Sequence, residues 1–371
     1  MKKNPFHNLL INIILMLAVI TVLGAIFELL VRILPISDNI GWSRAPLLGQ
    51  RVKKFNVSAP IKIVALGDSF LAWCAGEGKN MFDFVQKNLN KKGYAILNLG
   101  SPGGEIDNYI EIYEKYVRFK PEGIIVCVYL GNDVVDYSLA LQGKCPPTTI
   151  FDKEGKGWKA SIKRNCILAN LIFRFCKKEL HLFRSGTLDR NIQAIKKWGN
   201  LTDAVIQERL KQIDPHTLEL ARSESVNPWV LAAGITLPDY YKDLFSLSSS
   251  NARIKADTTV KILYEFYKKQ GIKNFFVVLL SESIQISEEY DQFYKKCGFD
   301  LENFPLEERR NINRYLKEEF NKLGIKTLDV TDALEGKTDI YIDFDTHFNA
   351  KGQRIVGDSI TDFLEANFLA D

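Results

Sequence analysis

The sequence predicts an α/β protein in which a central parallel sheet of five strands lies between two layers of helices. Five short runs are nearly continuous in Val, Ile, Leu and Phe, as is typical of strands that are buried on both faces. Amphipathic stretches with a helical period separate these runs and follow the last one. Such an alternation requires crossover connections, which make neighbouring strands parallel and place helices over both faces of the sheet.

The predicted strands and helices alternate along the chain, with one long interruption. The strands are Lys62–Leu66, Tyr94–Leu99, Gly123–Leu130, Asn274–Leu280 and Ile325–Val330. The helices are Met81–Lys92, Glu105–Phe119, Asn251–Gln270, Leu306–Leu323 and Ala350–Phe368. Between the third and fourth strands, residues 137–250 contain several helix-like stretches and no convincing strand. An insertion of this length is usually a functional lid or a small subdomain, so we expect a helical cap.

An uncharged apolar segment near the N-terminus predicts a membrane anchor. It contains nineteen residues, from Leu9 to Phe27, and a helix of that length reaches roughly 28 Å, close to the ~30 Å hydrocarbon core of a bilayer. Lys2 and Lys3 precede the segment, which favours translocation of the chain that follows it. A cleaved signal peptide is the alternative. The run is longer than the apolar h-region of a typical signal peptide, however, and no A-x-A-like cleavage site follows it before Glu28.

We therefore expect a single-pass anchor over residues 1–35, a linker over residues 36–60 and an extracytoplasmic domain over residues 61–371 that includes the cap. The 371 residues are 46% hydrophobic with a net charge of +4, which fits a globular protein and gives no reason to expect nucleic acid as a partner. The six cysteines include no C-x-x-C pair, and the four histidines have no zinc-ligand spacing. We therefore expect neither a metal ion nor another cofactor. No feature of the sequence indicates the oligomeric state.

Four polar motifs follow predicted strands. They are Gly67-Asp68-Ser69, Gly100-Ser101-Pro102-Gly103-Gly104, Gly131-Asn132-Asp133 and Asp343-Phe344-Asp345-Thr346-His347. The carboxyl ends of parallel strands meet at one edge of the sheet, where ligands bind in open α/β folds, so we expect these motifs to lie close together. Each motif alone is also typical of an ordinary turn or helix start. Four of them at strand ends indicate a shared site.

The residue types in these motifs fit nucleophilic attack on an ester. The hydroxyl of Ser69 is a weak nucleophile at neutral pH and needs a base within hydrogen-bond reach. His347 is the histidine that stands in a motif, whereas His7, His181 and His216 lie before the anchor or in the insertion. The negative charge that develops on the carbonyl oxygen needs preorganised donors, which glycine backbone N–H groups and an asparagine amide supply.

Together these motifs resemble the serine, glycine, asparagine and Asp/His blocks of the SGNH hydrolase superfamily, which includes GDSL-type esterases and acyltransferases. The resemblance covers residues 61–135 and 270–365 and implies a flavodoxin-like three-layer fold. It also implies that Ser69 is the nucleophile, and that its backbone N–H, the N–H of Gly103 and the side-chain amide of Asn132 form the oxyanion hole.

The acid that orients His347 departs from the family pattern. Many members place it three residues before the histidine, where this chain has Phe344. The candidates are Asp345 and Asp343, and a Ser69–His347 pair oriented by the backbone is a third possibility. The D-x-H spacing resembles that of the SGNH-like acetyltransferases of exopolysaccharide systems, so we prefer Asp345, with Asp343 as the alternative.

The resemblance implies an enzyme that acts through an acyl-serine intermediate, and the apolar N-terminal segment predicts that this enzyme is anchored in a membrane. Such an enzyme hydrolyses an ester or transfers an O-acyl group, and we expect an O-acetyl group on a glycan or lipid near the membrane as the substrate. The motifs do not distinguish water from a sugar hydroxyl as the acyl acceptor. The alternative from another functional class is a non-catalytic SGNH-like binding or scaffold protein of a cell-envelope assembly. That alternative predicts an eroded site, whereas this chain has a serine, a glycine, an asparagine and a histidine in the four motifs.

Overall fold

The computed structural model describes residues 51–72, 80–131, 133–134, 186–199, 201–223 and 225–368, together with Leu48 and six positions between Met16 and Ile26. The strands are β1 (Ile61–Leu66), β2 (Tyr94–Asn98), β3 (Gly123–Tyr129), β4 (Asn274–Leu280) and β5 (Lys326–Asp329). They pair in parallel in the order β2-β1-β3-β4-β5. The predicted five-stranded parallel sheet is confirmed, and every strand agrees with its predicted bounds to within one residue at each end.

The strand order creates a crevice at the carboxyl ends of β1 and β3. From β1 the chain runs outward to β2 and then returns to pair with the other side of β1 as β3. The two right-handed connections therefore leave the sheet on opposite faces. Leu66 at the end of β1 lies level with Val126 of β3. In an open parallel sheet this reversal of strand order marks the position at which ligands bind.

The five helices that the sequence predicts around the sheet are present, and their outer bounds differ from the prediction by at most three residues. In chain order the described helices are α1 (Ser69–Ala72), α2 (Met81–Leu89), α3 (Ile106–Tyr116), α4 (Thr187–Gly199), α5 (Asp203–Gln212), α6 (Pro215–Arg222), α7 (Pro228–Thr236), α8 (Tyr240–Phe245), α9 (Ser250–Gln270), α10 (Asp291–Lys296), α11 (Leu306–Arg309), α12 (Asn311–Lys322), α13 (Thr331–Leu334) and α14 (Ala350–Phe368). The predicted helix over residues 306–323 is divided into α11 and α12 at Arg310. Short 3₁₀ turns lie at Asn90–Lys92, Ser283–Gln285 and Glu288–Tyr290.

Both faces of the sheet are covered by helices. All seven residues of β3 are buried. On one face, Ile125 and Cys127 belong to a core cluster with residues of α2 and α14. On the other face, Phe266 of α9 packs against Tyr113 of α3 and Phe275 of β4, with ring centroids 5.3 and 5.7 Å apart. The two helical layers that the sequence predicts are therefore present.

The described part of the insertion is helical. Residues 186–250 contain α4 to α8 and, in the positions that the structure describes, no strand. Side chains of Thr202 and Asp214 accept backbone N–H groups at the starts of α5 and α6, as N-cap residues do. The first part of the predicted cap, residues 137–185, lies outside the described residues.

The predicted membrane anchor falls almost entirely outside the described residues. In the portion of the chain that is described, no helix is both long enough and apolar enough to cross a membrane. The anchor over residues 1–35 and the linker that follows it remain predictions from the sequence. The described residues from 51 to 368 belong to one compact unit, which contains the sheet and the described residues of all four motifs.

Candidate active site

Ser69, His347 and Asp345 form one line of hydrogen bonds near the carboxyl end of β1. Nε2 of His347 lies 2.7 Å from Oγ of Ser69, and Nδ1 lies 2.6 Å from Oδ1 of Asp345. Because an ionised carboxylate only accepts hydrogen bonds, Nδ1 carries the proton and Nε2 accepts from the serine hydroxyl. Asp343 is exposed and makes no hydrogen bond to a described residue. Of the two predicted acids, the structure brings Asp345 to the imidazole.

Ser69 is placed by a tight turn between β1 and α1. The loop after β2 packs against this turn, where the backbone N–H of Ser101 donates to the carbonyl of Gly67 at 2.9 Å. A Cβ added to Gly100 would lie 2.4 Å from Cβ of Leu71. Only glycine allows the two backbones to approach so closely. The backbones of two neighbouring strands therefore fix the position of the serine.

The side chain of Asp68 stabilises the same turn by a hydrogen bond to the backbone. It is 1% exposed, and its Oδ1 accepts the backbone N–H of Phe70 at 2.9 Å. Its Oδ2 lies 3.5 Å from Oγ of Ser69, which is too long for a strong hydrogen bond. The principal partner of the serine hydroxyl is therefore the imidazole of His347.

His347 lies in a loop, residues 339–349, that is stabilised by hydrogen bonds between its own backbone groups. The N–H of Ile342 donates to the carbonyl of His347 at 2.8 Å, and the N–H of Asp345 donates to the carbonyl of Ile342 at 3.1 Å. The second bond closes a turn in which Phe344 has a φ of 59°, a left-handed conformation that costs an ordinary residue about 1–3 kcal/mol. Oδ1 of Asp345 also accepts two backbone N–H groups, at 2.6 and 3.1 Å. The backbone thus orients the carboxylate that meets the imidazole.

The charges around the imidazole favour its protonated form. Burial opposes protonation, but the hydrogen bond and charge of Asp345, with the charges of Asp68 and Glu282, outweigh burial and raise the pKa of His347. Burial also opposes ionisation of Asp345, yet its hydrogen bond to His347 and the charge of His347 outweigh that effect and lower its pKa. The pair is therefore suited to an imidazolium, the form that a histidine takes after it removes a proton from a serine.

Two of the three predicted oxyanion donors lie within the described residues. Among the described residues, no acceptor receives the backbone N–H group of Ser69 or that of Gly103. Gly103 has a φ of 59°, a conformation that glycine adopts without strain. Asn132 lies outside the described residues, between Gly131 and Asp133, which are buried at the carboxyl end of β3.

The described part of the insertion contacts two of the loops that carry the motifs. The hydroxyl of Tyr240, at the start of α8, donates to the carbonyl of Gly131 at 2.7 Å. The backbone N–H of Asn227, at the start of α7, donates to the carbonyl of Phe344 at 3.1 Å. Phe344 itself is 47% exposed. The insertion therefore helps to fix both the loop after β3 and the loop that carries the histidine.

Sequence reasoning missed two buried groups at this edge of the sheet, Glu282 and Tyr109. Glu282 lies two residues after the end of β4 and is fully buried. Burial raises its pKa to about 7, although Tyr294 and Ser283 donate to its Oε1. The position of Glu282 near a strand end could have identified it as a candidate site residue. Tyr109 donates to Oδ1 of Asp133 at 2.7 Å, but it occupies an ordinary core position of an amphipathic helix, which gave no signal. Among the described residues, no group of His, Cys, Asp and Glu side chains is arranged to hold a metal ion.

Comparison with known proteins gives a distant likeness of fold. No family model and no curated protein matches the chain. A lipase/acylhydrolase from Enterococcus faecalis is 12% identical with a TM-score of 0.40, over 82% of this chain and 96% of that one. The acetyl xylan esterase AlAXEase is 12% identical with a TM-score of 0.38, over 82% of this chain and 100% of that one. Neither likeness is close enough to assign an activity.

Proposed function

We propose that this protein is a serine-dependent esterase or O-acyltransferase of the SGNH type. The observation that carries the proposal is the line of hydrogen bonds from Ser69 through His347 to Asp345. The same order of nucleophile, base and orienting acid performs acyl transfer on several unrelated folds. The backbone N–H groups of Ser69 and Gly103, which donate to no described acceptor, support it, because acyl transfer requires donors for an oxyanion.

In the first half of the reaction, Nε2 of His347 accepts the hydroxyl proton of Ser69 while Oγ attacks the carbonyl carbon of the ester. The carbonyl oxygen becomes an oxyanion, which the N–H groups of Ser69 and Gly103 and the amide of Asn132 stabilise. The imidazolium then donates its proton to the leaving alcohol oxygen as the C–O bond breaks. The products are a free alcohol, an acyl-serine and a neutral His347.

In the second half, the hydroxyl of an acceptor loses its proton to His347 and attacks the acyl carbon, and Ser69 leaves and recovers that proton. Water as the acceptor gives hydrolysis, and a sugar hydroxyl gives transfer. We propose an O-acetyl group on a glycan or lipid as the substrate. The uncharged apolar segment over residues 9–27 supports a location at the outer face of a membrane, since it predicts an anchor.

A chromogenic acetyl ester tests the serine mechanism. We expect Ser69→Ala to lower kcat/KM by at least about a thousandfold, because the nucleophile is lost. Ser101→Ala is the matched control. The hydroxyl of Ser101 is buried in the neighbouring loop and has no partner among the described residues, so its removal should change kcat/KM by less than about twofold. Equal activity of wild type and Ser69→Ala would exclude the serine mechanism.

A fluorophosphonate label and an acceptor glycan separate the remaining alternatives. Labelling of wild type but not of Ser69→Ala identifies an activated serine, whereas no labelling of either protein favours the non-catalytic scaffold. With an acetyl donor and an unacetylated glycan present together, an O-acetylated glycan product identifies a transferase. Free acetate alone identifies a hydrolase.

A further inference from the structure

Tyr109 connects the two loops that carry the proposed oxyanion donors. Its side chain is 1% exposed, and its hydroxyl donates to Oδ1 of Asp133 at 2.7 Å. The same hydroxyl lies 3.2 Å from the carbonyl oxygen of Gly104. Gly104 follows Gly103 in the loop after β2, and Asp133 follows Asn132 in the loop after β3. One phenol on α3 therefore touches both loops.

Asp133 links the hydroxyl of Tyr109 to the end of strand β3. It is fully buried, and its Oδ2 accepts the backbone N–H of Tyr129, the last residue of β3, at 2.8 Å. With a donor on each oxygen, the carboxylate is fixed between α3 and β3. On the other side, a Cβ added to Gly104 would lie 3.0 Å from Cε1 of Tyr109. The tyrosine ring and the loop after β2 are therefore in close contact.

A packing role alone does not account for the hydroxyl of Tyr109. Burying a hydroxyl and a carboxylate is unfavourable unless each is paired, and a phenylalanine would fill the same space without a polar atom. Burial and the charge of Asp133 raise the pKa of Tyr109 well above its usual value, so the phenol keeps its proton and remains a donor. What the hydroxyl adds beyond packing is a fixed spacing of the two loops.

We propose that Tyr109 is a positioning residue for the oxyanion hole, because its phenol holds Gly104 and Asp133 at a fixed separation. These two residues directly follow the proposed donors Gly103 and Asn132 in the sequence. This inference rests on the proposed function. Oxyanion donors act on the charge of the transition state and only weakly on the bound ester. An error in their spacing should therefore lower kcat and leave KM nearly unchanged.

Tyr109→Phe tests the inference, since it removes one oxygen atom. We expect kcat for the acetyl ester to fall about tenfold, equivalent to about 1.4 kcal/mol of transition-state stabilisation, with KM within about twofold of wild type. The rate of fluorophosphonate labelling should fall by a similar factor, because attack on phosphorus uses the same donors. Tyr113→Phe is the matched control. Tyr113 lies one turn later in α3, is 7% exposed and makes no hydrogen bond to a described residue through its hydroxyl, so kcat and labelling should stay at wild-type values.

The outcomes separate this inference from the proposed function. If Ser69→Ala is inactive but Tyr109→Phe keeps the wild-type kcat, even with a lower melting temperature, the positioning role is overturned and the proposed function stands. If Ser69→Ala is as active as wild type, both are overturned. Should Tyr109→Phe fail to fold, Asp133→Asn tests the same link, because an amide holds both Tyr109 and the end of β3 less firmly. A several-fold loss of kcat in Asp133→Asn supports the inference, and an unchanged kcat overturns it.

Discussion

Two segments meet at the proposed active site, and they are held in place by different means. The nucleophile turn, residues 66–72, continues directly from a strand and is fixed by close packing. A Cβ on the neighbouring Gly100 would lie 2.7 Å from the backbone N of Ala72. The histidine loop, residues 339–349, is fixed by hydrogen bonds of its own backbone and includes Phe344 in a left-handed conformation.

The difference shows which kinds of change each segment should tolerate. A Cβ added to Gly100 would lie less than 3.0 Å from backbone atoms of the nucleophile turn, so this contact should be sensitive to side-chain volume. In the histidine loop, Phe344 is 47% exposed, so volume matters less there. Backbone conformation and the hydrogen bonds of Asp345 matter more, since they aim the carboxylate at the imidazole. Three predictions test this contrast, from the largest expected effect to the smallest.

The largest effect is expected from Asp345→Asn in the histidine loop. An amide at this position no longer holds a single tautomer of His347 and carries no charge to stabilise the imidazolium, so kcat/KM should fall by about a thousandfold or more. The mechanism requires a neutral His347, and Asp345 raises the pKa of that histidine. Activity should therefore rise with pH through a raised pKa in wild type, and the midpoint should move to lower pH in the variant. The measurement is kcat/KM for the acetyl ester as a function of pH.

Asp343→Asn provides the control for this change in the same loop. Asp343 is exposed and makes no hydrogen bond to a described residue, so its replacement should leave kcat/KM within about twofold. If both variants lose activity equally, or if only Asp343→Asn loses it, Asp345 is not the acid that orients the histidine.

The next effect in size is expected from Gly100→Ala beside the nucleophile turn. The added Cβ would lie 2.4 Å from Cβ of Leu71 and 2.7 Å from its backbone C, and backbone atoms cannot move aside without displacing α1. The free energy of unfolding should fall by about 2–3 kcal/mol, measured by denaturant titration. Gly67→Ala is the comparison, because its Cβ would meet Cδ1 of Leu71 at 2.8 Å, at the end of a flexible side chain. Its loss of stability should be the smaller of the two, and the reverse order would contradict the account of close packing.

The nucleophile turn and the histidine loop also differ in how far their structure could be predicted from the sequence. Apolar runs predicted the five strands. The order of the strands, which was not predicted, places Gly67-Asp68-Ser69 after β1 and Gly131 and Asp133 after the adjacent β3. The turn in the histidine loop could not be predicted, because an aromatic residue at positive φ contradicts local preference. The hydrogen bond from Asn227 of the insertion to the carbonyl of Phe344 adds a tertiary contact to the hydrogen bonds of the loop's own backbone. Because this turn could not be predicted, the choice between Asp345 and Asp343 rested on a resemblance.

Tyr109 and Glu282 were missed for a related reason. An amphipathic helix predicts that Tyr109 faces the core, but the sequence does not say which buried group its hydroxyl will meet. Glu282 follows a predicted strand, yet a carboxylate there is normally expected to face solvent, whereas this one is fully buried. Pairing between buried polar groups depends on distances between elements, which periodicity does not encode.

The smallest effect concerns the strain at Phe344. Replacement by Gly and replacement by Ala both remove the ring, which packs against Phe293 with centroids 5.6 Å apart, so the loss of that contact cancels between the two variants. They differ in the backbone, because only Gly adopts a φ of 59° without strain. We therefore expect Phe344→Gly to be more stable than Phe344→Ala by about 1 kcal/mol in denaturant titration. At Asp343, which does not have a positive φ, the order should reverse and Ala should be the more stable by about 0.5–1 kcal/mol. If the Ala variant is more stable than the Gly variant at both positions, the left-handed turn that orients Asp345 toward His347 does not form in solution.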